Sequence, residues 1–379
     1  MKKNKLNIGL IIGGKSVEHD ISILSGLQVY HALDKDKYNV TIFYITKEQE
    51  WLVGEPLSDI HTYINEEFSK CTPVIVFGEN HNIFYKGLFS KPKATPIDIF
   101  VLVLHGDGTE DGTIAGYLDT IGATYTSASH TESAILQDKI YTKQILQCNG
   151  IESIPYIEMN SEKTFEEVKK EVEEKLKYPV IIKPVRLGSS IGINCANDNA
   201  QLKKGIEECL KYGNRIIIEK KLTSFKEYNL ALIKDTNRII SSSIEEVIPT
   251  SEILSFKDKY ESMDKMSEAS NRIIPAILDA TLEKEIRRLG IKAYKTFNLK
   301  GVVRIDFLYD CLEKYIYINE INTIPGSLAF YLFEKENITF TSLLDILIKN
   351  AIISKNQESR YVKSFITSVL TKKGTKLIK

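Results

Sequence analysis

The sequence predicts a chain of α/β and α+β units, and three observations carry that reading. A length of 379 residues with 43% apolar content suits roughly two to three domains with sizeable cores. The first third alternates strand, glycine turn, helix and strand, the pattern of a βαβ opening on a parallel sheet. From about Ser129 the pattern changes to short strands set between charged helices and tight turns, as in a smaller α+β unit.

Leu6 to Ile12 reads as a first β-strand ending on Gly13-Gly14. Lys2, Lys3 and Lys5 ahead of it imitate a secretory leader, but Gly9 breaks the apolar run, which continues straight into Lys15 and Glu18, so a strand is the better reading. Ile21, Leu24 and Leu27 follow at helical spacing, then a strand from Val40 to Ile45. A more irregular stretch with Trp51, Cys71 to Phe77 and Lys91-Pro92-Lys93 leads to a buried-type strand, Ile97 to Leu104. That strand ends at His105-Gly106-Asp107-Gly108, before another helix. A helix runs from Ser129 through Leu136 and Ile145, and a strand from Pro155 to Glu158. The next helix is opened by the capping box Thr164-Phe165-Glu166-Glu167. Val180 to Lys183 and Ile191 to Cys195 read as strands joined by the turn Gly188-Ser189-Ser190. Ile216 to Glu219 is a further strand, and Tyr228 to Ile233 and Arg238 to Ile248 pair around Asp235-Thr236-Asn237. A polar loop spans Ser251 to Arg272, a helix covers Leu282 to Phe297, and a hairpin runs from Val302 to Tyr309 and Tyr315 to Glu320. The stretch from Tyr361 to Lys379 carries five lysines and no acid, as a solvated terminus does.

Fifty basic residues against fifty acidic ones leave no long-range attraction to nucleic acid or anionic lipid. The longest apolar run, Ile99 to Leu104, is far short of the roughly 18 residues of a spanning helix. Five widely spaced cysteines without Cys-x-x-Cys read as small core residues of a reducing cytoplasmic setting. Asn337-Ile338-Thr339 matches the glycosylation pattern but carries no weight in that compartment.

Gly9 to Ser16 fits the phosphate-loop pattern literally, yet Leu10-Ile11-Ile12 are apolar strand residues where that loop needs a turn of free N–H groups. The stronger constellation is Arg304-Ile305-Asp306 on one strand and Glu320-Ile321-Asn322 on the next. Alternation puts Arg304 with Asp306, and Glu320 with Asn322, on one face of each strand. Two carboxylates and an amide oxygen are the hard ligands Mg²⁺ takes while holding nucleotide phosphates, with an arginine beside them for a phosphoryl group or oxyanion. The plainer alternative is a cross-strand ladder of salt bridges. Lys183 ends an apolar strand beside Gly188-Ser189-Ser190, where a point charge and loop N–H groups can hold phosphate. Glu219-Lys220-Lys221-Leu222 follows the next strand and can meet an adenine edge, or be an ordinary polar strand end.

Taken in order, Gly13 to Ser22 with Glu18, His105 to Thr113 with Glu110, Lys183 to Gly192, Arg304 to Asp306 and Asn319 to Gly326 resemble the D-alanine–D-alanine ligases of the ATP-grasp superfamily. The resemblance covers nearly the whole chain. It implies an N-terminal Rossmann-like parallel-sheet domain over 1–127, a central ATP-grasp subdomain over 128–215 and a C-terminal one over 216–379 with a lid loop. The activity implied is ATP-dependent ligation of two D-alanines through an acyl phosphate, for peptidoglycan precursor synthesis. It implies that Lys139, Lys183 and Ser190 meet ATP phosphates, Glu219 and Leu222 the adenine, and Glu227 the ribose. Asp306, Glu320 and Asn322 would hold two Mg²⁺ ions, with Mn²⁺ as the substitute. Glu18 would bind the first substrate's ammonium, while Arg304 and the Gly326 N–H stabilise the oxyanion. Ser189 and Tyr260 would link to Glu18, and Lys259 would close with the loop over the phosphates. A cytoplasmic homodimer is the implied state.

The family usually places a serine for the second substrate's carboxylate where Tyr331 stands, with Ser327 as a nearby hydroxyl. Thr109 replaces the usual glycine before Glu110, and Phe225-Lys226-Glu227 replaces Gly-Arg-Glu. The alternatives are therefore a related ligase with D-serine, D-lactate or another acceptor, or a nucleotide-binding protein without ligase chemistry.

Overall fold

The computed structural model describes residues 5–77, 82–85, 96–188, 190–248 and 272–366. The first unit contains β1 (Leu6–Gly13), α1 (His19–Ala32), β2 (Tyr38–Ile45), β3 (Trp51–Val53), α2 (Ile60–Ile64), β4 (Thr72–Phe77), β5 (Asn82–Tyr85), β6 (Ile99–Leu102) and α3 (Thr113–Thr120). Its six strands lie in the order β5-β4-β3-β2-β1-β6. Only β2-β1-β6 are parallel, so the expected parallel sheet is mixed: β3, β4 and β5 extend it antiparallel through the stretch that carried no motif. Leu10, Ile11 and Ile12 are fully buried within β1, which removes the literal phosphate-loop match. The chain turns sharply at Gly13, where φ is +87° and a Cβ would strike the Ile45 carbonyl, so only glycine fits.

The second unit contains α4 (His130–Gln137), α5 (Lys139–Cys148), β7 (Tyr156–Met159), α6 (Phe165–Glu171), β8 (Val180–Pro184), β9 (Asn194–Ala196), α7 (Asn199–Cys209) and β10 (Ile216–Lys220). The single helix expected from Ser129 to Ile145 is two. Asp138 breaks it: fully buried, its carboxylate caps α5 by accepting from the Ile140 and Tyr141 N–H groups at 3.1 Å. Apolar spacing runs unbroken through that break and cannot reveal it. The capping box at Thr164 is formed as expected. The sheet order is β7-β10-β8-β9, so the strand beginning at Ile216 pairs with β7 and β8 in this sheet. One face of this sheet carries Val180, Ile182, Ile216 and Ile218 against Val168, Leu202 and Ile206 of α6 and α7. The other face carries Ile217 against Ile140 of α5. The strand expected from Ile191 is shorter, starting at Asn194.

The third unit contains β11 (Phe225–Asp235), β12 (Arg238–Val247), β13 (Arg272–Ile273), α8 (Ala280–Thr296), β14 (Val302–Asp310), β15 (Tyr315–Asn322), α9 (Phe330–Glu334) and α10 (Phe340–Glu358). Its antiparallel sheet runs β13-β12-β11-β14-β15. Ile286, Leu289 and Ala293 of α8 pack on Leu230, Leu232, Ile305 and Phe307. α10 carries none of the motifs named above. Its Leu343, Leu344, Leu347 and Ile348 sit in the core of the first sheet, and Asp345 accepts from Tyr38 Oη at 2.6 Å and Lys37 Nζ at 2.7 Å. Among the described residues no helix is long and apolar enough to cross a membrane.

Candidate active site

The antiparallel register of β8 and β10 sets Lys183 opposite Ile217 and Ile181 opposite Glu219, so Lys183 and Glu219 share one face. The helix α5 lies over that face and brings Lys139 from its first turn and Lys143 from one turn later, since residues four apart stack on a helix. Glu219 is enclosed between two ammonium groups: Lys183 Nζ stands 2.5 Å from Oε2 and Lys143 Nζ 2.7 Å from Oε1. Burial alone would raise the Glu219 pKa, but the two cations outweigh it and hold the carboxylate down at about 2. Lys139 Nζ donates to the Leu187 carbonyl at 2.8 Å and reaches Glu320 at 3.7 Å, tying this cradle to the third unit.

The β14–β15 register places Asp306 directly opposite Glu320 and Arg304 opposite Asn322. Arg304 grips Asp306 with two bonds along the same strand, Nε to Oδ1 at 2.7 Å and Nη2 to Oδ2 at 2.9 Å. Asn322 Nδ2 donates to Asp306 Oδ2 at 3.1 Å. The expected shared face is thus present, and the Arg304–Asp306 ion pair on it runs along one strand rather than across strands. Asn322 turns its amide nitrogen to Asp306, which leaves the amide oxygen as a donor toward a cation. Two carboxylates and that oxygen fit a hard ion that completes its shell with phosphate oxygens and water.

The first unit supplies the remaining wall. A Cβ on Gly106, whose φ is +85°, would collide with Ser16 Oγ and Glu18 Oε2, and Glu18 also lies against Gly188. Glu18 therefore sits where the first unit meets the turn of the second. Glu110 accepts from the Ile324 N–H at 3.1 Å and the Gly106 N–H at 3.3 Å. Burial, with the charge of Glu18 nearby, pushes its pKa up to about 8. His105 is buried, and desolvation lowers its pKa to about 4, so the ring is neutral near pH 7. Its Nε2 lies 3.3 Å from Ser25 Oγ, which accepts the Ser327 N–H at 3.0 Å. Ser327, Leu328 and Ala329 hold φ near +50° in succession, a strained backbone kept in place by burial of all three.

The structure thus gathers Glu18, Lys139, Lys183, Glu219, Arg304, Asp306, Glu320 and Asn322, with Gly326 entering the strained turn. Ser190 lies in the turn after Gly188 with φ +60°. Leu222 is buried in the connection from β10 to β11, and Glu227 faces Leu308 across β11–β14. Ser189, Lys259 and Tyr260, and most of the polar loop, lie outside the described residues. Tyr331 Oη sits 3.3 Å from Glu245 Oε2 and 3.4 Å from Arg272 Nη1. Glu245 is fully buried, and Asn229 Nδ2 donates to it at 2.8 Å. Sequence reasoning missed Lys143, Glu245 and Arg272. The four-residue spacing from Lys139 to Lys143 was a usable signal; nothing local marks Glu245 as inward.

The family model for the D-ala D-ala ligase N-terminus matches residues 7–128, and that for the C-terminus matches residues 145–349. The D-alanine–D-alanine ligase of Thermosipho melanesiensis is 37% identical over 345 residues, covering 90% of this chain and 92% of its own. That of Thermosipho africanus is 34% identical over 371 residues, covering 98% and 100%. Among solved structures, the D-alanine–D-alanine ligase of Coxiella burnetii shares the fold with a TM-score of 0.80 at 24% identity, covering 94% of this chain and 97% of that one. The D-Ala:D-Ser ligase of Enterococcus faecalis aligns with a TM-score of 0.79 at 26% identity, covering 92% and 100%.

Proposed function

The chain belongs to the D-alanine–D-alanine ligase family, and from that premise we propose that it joins two D-alanines into D-alanyl-D-alanine with conversion of ATP to ADP and phosphate. The observation that carries the reading is the contact of Lys139 with Glu320, which joins a cationic phosphate cradle to an acidic face.

A carboxylate is a poor acylating agent until it is phosphorylated. In this reading the γ-phosphoryl group leaves ADP and bonds to the carboxylate of the first D-alanine. The amine of the second then attacks the acyl carbon, and the C–O bond to phosphate breaks. Lys139 and Lys183, with Ser190 in the turn, hold the phosphates of ATP; Glu219 and Leu222 meet the adenine and Glu227 the ribose. Glu18 pairs with the first substrate's ammonium. Arg304 and the Gly326 N–H face the oxyanion, where fixed donors act most strongly once water is excluded. Asp306, Glu320 and Asn322 would hold two Mg²⁺ ions, with Mn²⁺ able to substitute. Bound there, the metal supplies positive charge that neutralises the phosphate oxygens. Ser189, Lys259 and Tyr260 keep the roles the resemblance implies. The same reading takes the protein as a cytoplasmic homodimer; its five cysteines are free thiols, in keeping with a reducing compartment.

Phosphate release from Mg·ATP tests the proposal, without amino acid and then with D-alanine, L-alanine, D-serine or D-lactate, with products identified by mass. D-alanine-dependent release with a dipeptide product is expected. Release driven only by another acceptor would reassign the substrate, and ATP binding without any turnover would sink the ligase reading. Asp306→Asn or Glu320→Gln should lower turnover by at least about 100-fold with the fold intact; near-normal rates in either would remove the metal site.

A further inference from the structure

Lys143 has no part in the roles assigned above, yet it is among the most enclosed charged groups of the second unit. Its side chain is 3% exposed, as is that of Glu219, whereas Lys183 is 13% exposed at the edge of the cleft. The Lys143 ammonium lies between Glu219 Oε1 at 2.7 Å and the face of the Tyr156 ring at 5.8 Å. Tyr156 is itself opposite Glu219 in the β7–β10 register. The Lys143 ammonium makes no well-aligned hydrogen bond among the described residues, so it acts on Glu219 chiefly as a charge. Each Glu219 oxygen faces one ammonium, and a carboxylate has room for about four donors in all, so Glu219 can still accept from a ligand.

The two lysines are not equivalent. Lys183 stands at the cleft edge and is the one that can turn toward phosphate, which withdraws a cation from Glu219. Lys143, packed under α5, stays. We propose that Lys143 is a positioning residue for nucleotide-base selection: it keeps Glu219 an ionised acceptor while Lys183 engages phosphate. The inference rests on the reading of Glu219 as the adenine contact. An ionised carboxylate accepts from the 6-amino group of adenine and repels the 6-oxo group of hypoxanthine. Without a fixed cation, a buried carboxyl takes up a proton, and as a donor it no longer rejects the 6-oxo base.

Steady-state kinetics of the full-length enzyme with ATP and with inosine triphosphate, for Lys143→Met and Glu219→Gln, test this. Lys143→Met should raise the KM for ATP about tenfold, change kcat by less than about twofold, and lower the ATP-to-ITP ratio of kcat/KM by about tenfold or more. A parallel loss for both nucleotides, or an unchanged KM for ATP, overturns the proposal, because a purely structural lysine would not distinguish the bases. Glu219→Gln separates the two readings. If it collapses the ratio while Lys143→Met does not, only the role of Lys143 fails; if it leaves the ratio unchanged, the adenine contact fails. Should the Met variant not fold, Lys143→Gln keeps a buried donor without charge, and selectivity retained in it equally overturns the proposal.

Discussion

At the residue scale, Tyr331 shows what a sequence position does not disclose. The residue was legible as a departure from the family's usual serine, but its neighbours were not. Glu245, buried and charged, comes from β12 and Arg272 from β13, and the two meet at 3.4 Å beside the Tyr331 hydroxyl. Burial and the Glu245 charge push the phenol pKa up, so Tyr331 is a neutral donor at working pH. Tyr331→Ser would withdraw one donor from Glu245 and open space next to Arg304. Its expected effect is at least about a fivefold change in the ratio of kcat/KM between D-alanine and D-serine as acceptor, with the KM for ATP altered by less than about twofold. An unchanged acceptor profile would mean that Tyr331 does not line the second subsite. Glu245 was hidden because Glu245 and Glu246 are adjacent and both are buried, and strand alternation does not say which of the two faces meets Tyr331.

Among the elements, α5 matters most, because its first residue is Lys139. Its start is set by Asp138, which caps two N–H groups and pairs with Arg215 Nη1 at 2.5 Å. Arg215 is also held by Glu158 at 2.7 Å, so one acid fixes both the helix start and the end of the central sheet. Asp138→Ala loses a cap and half of a buried ion pair, and should cost about 3 kcal/mol in chemical denaturation. Lys139 would lose its position with it, raising the KM for ATP. Stability within about 0.5 kcal/mol of the parent, at an unchanged KM, would show that the cap does not place Lys139. The capping box at Thr164 was readable because its partners are three residues apart. The Asp138 cap was not, since its burial depends on Arg215 from another element.

For the whole molecule, the decisive element is α10. It leaves the third unit and buries Leu343, Leu344, Leu347 and Ile348 in the first sheet's core, so the first and third units share one core. Across the site, Glu110 holds Ile324 and Ser25 holds Ser327. The first unit therefore braces the turn that Gly326 enters. Leu347→Ala should destabilise the protein by about 3 kcal/mol. The loss should appear as a shift of one cooperative unfolding transition. A separate early transition with the rest unmoved would mean that α10 docks locally and does not unite the units.

By itself the sequence determined the βαβ opening, the β14–β15 hairpin with Arg304 and Asp306 facing Glu320 and Asn322, and the Lys183 strand. Each is written in a periodicity or spacing of a few residues, which local backbone geometry obeys wherever the segment lies. Only the tertiary structure decided that Glu219 is clasped by two lysines, that β10 belongs to the central sheet, that the first sheet is mixed, and that α10 returns to it. Those outcomes depend on which segments pack together. Burial and pairing between distant parts of the chain set that choice, and through it which charges are neutralised and which remain for a substrate.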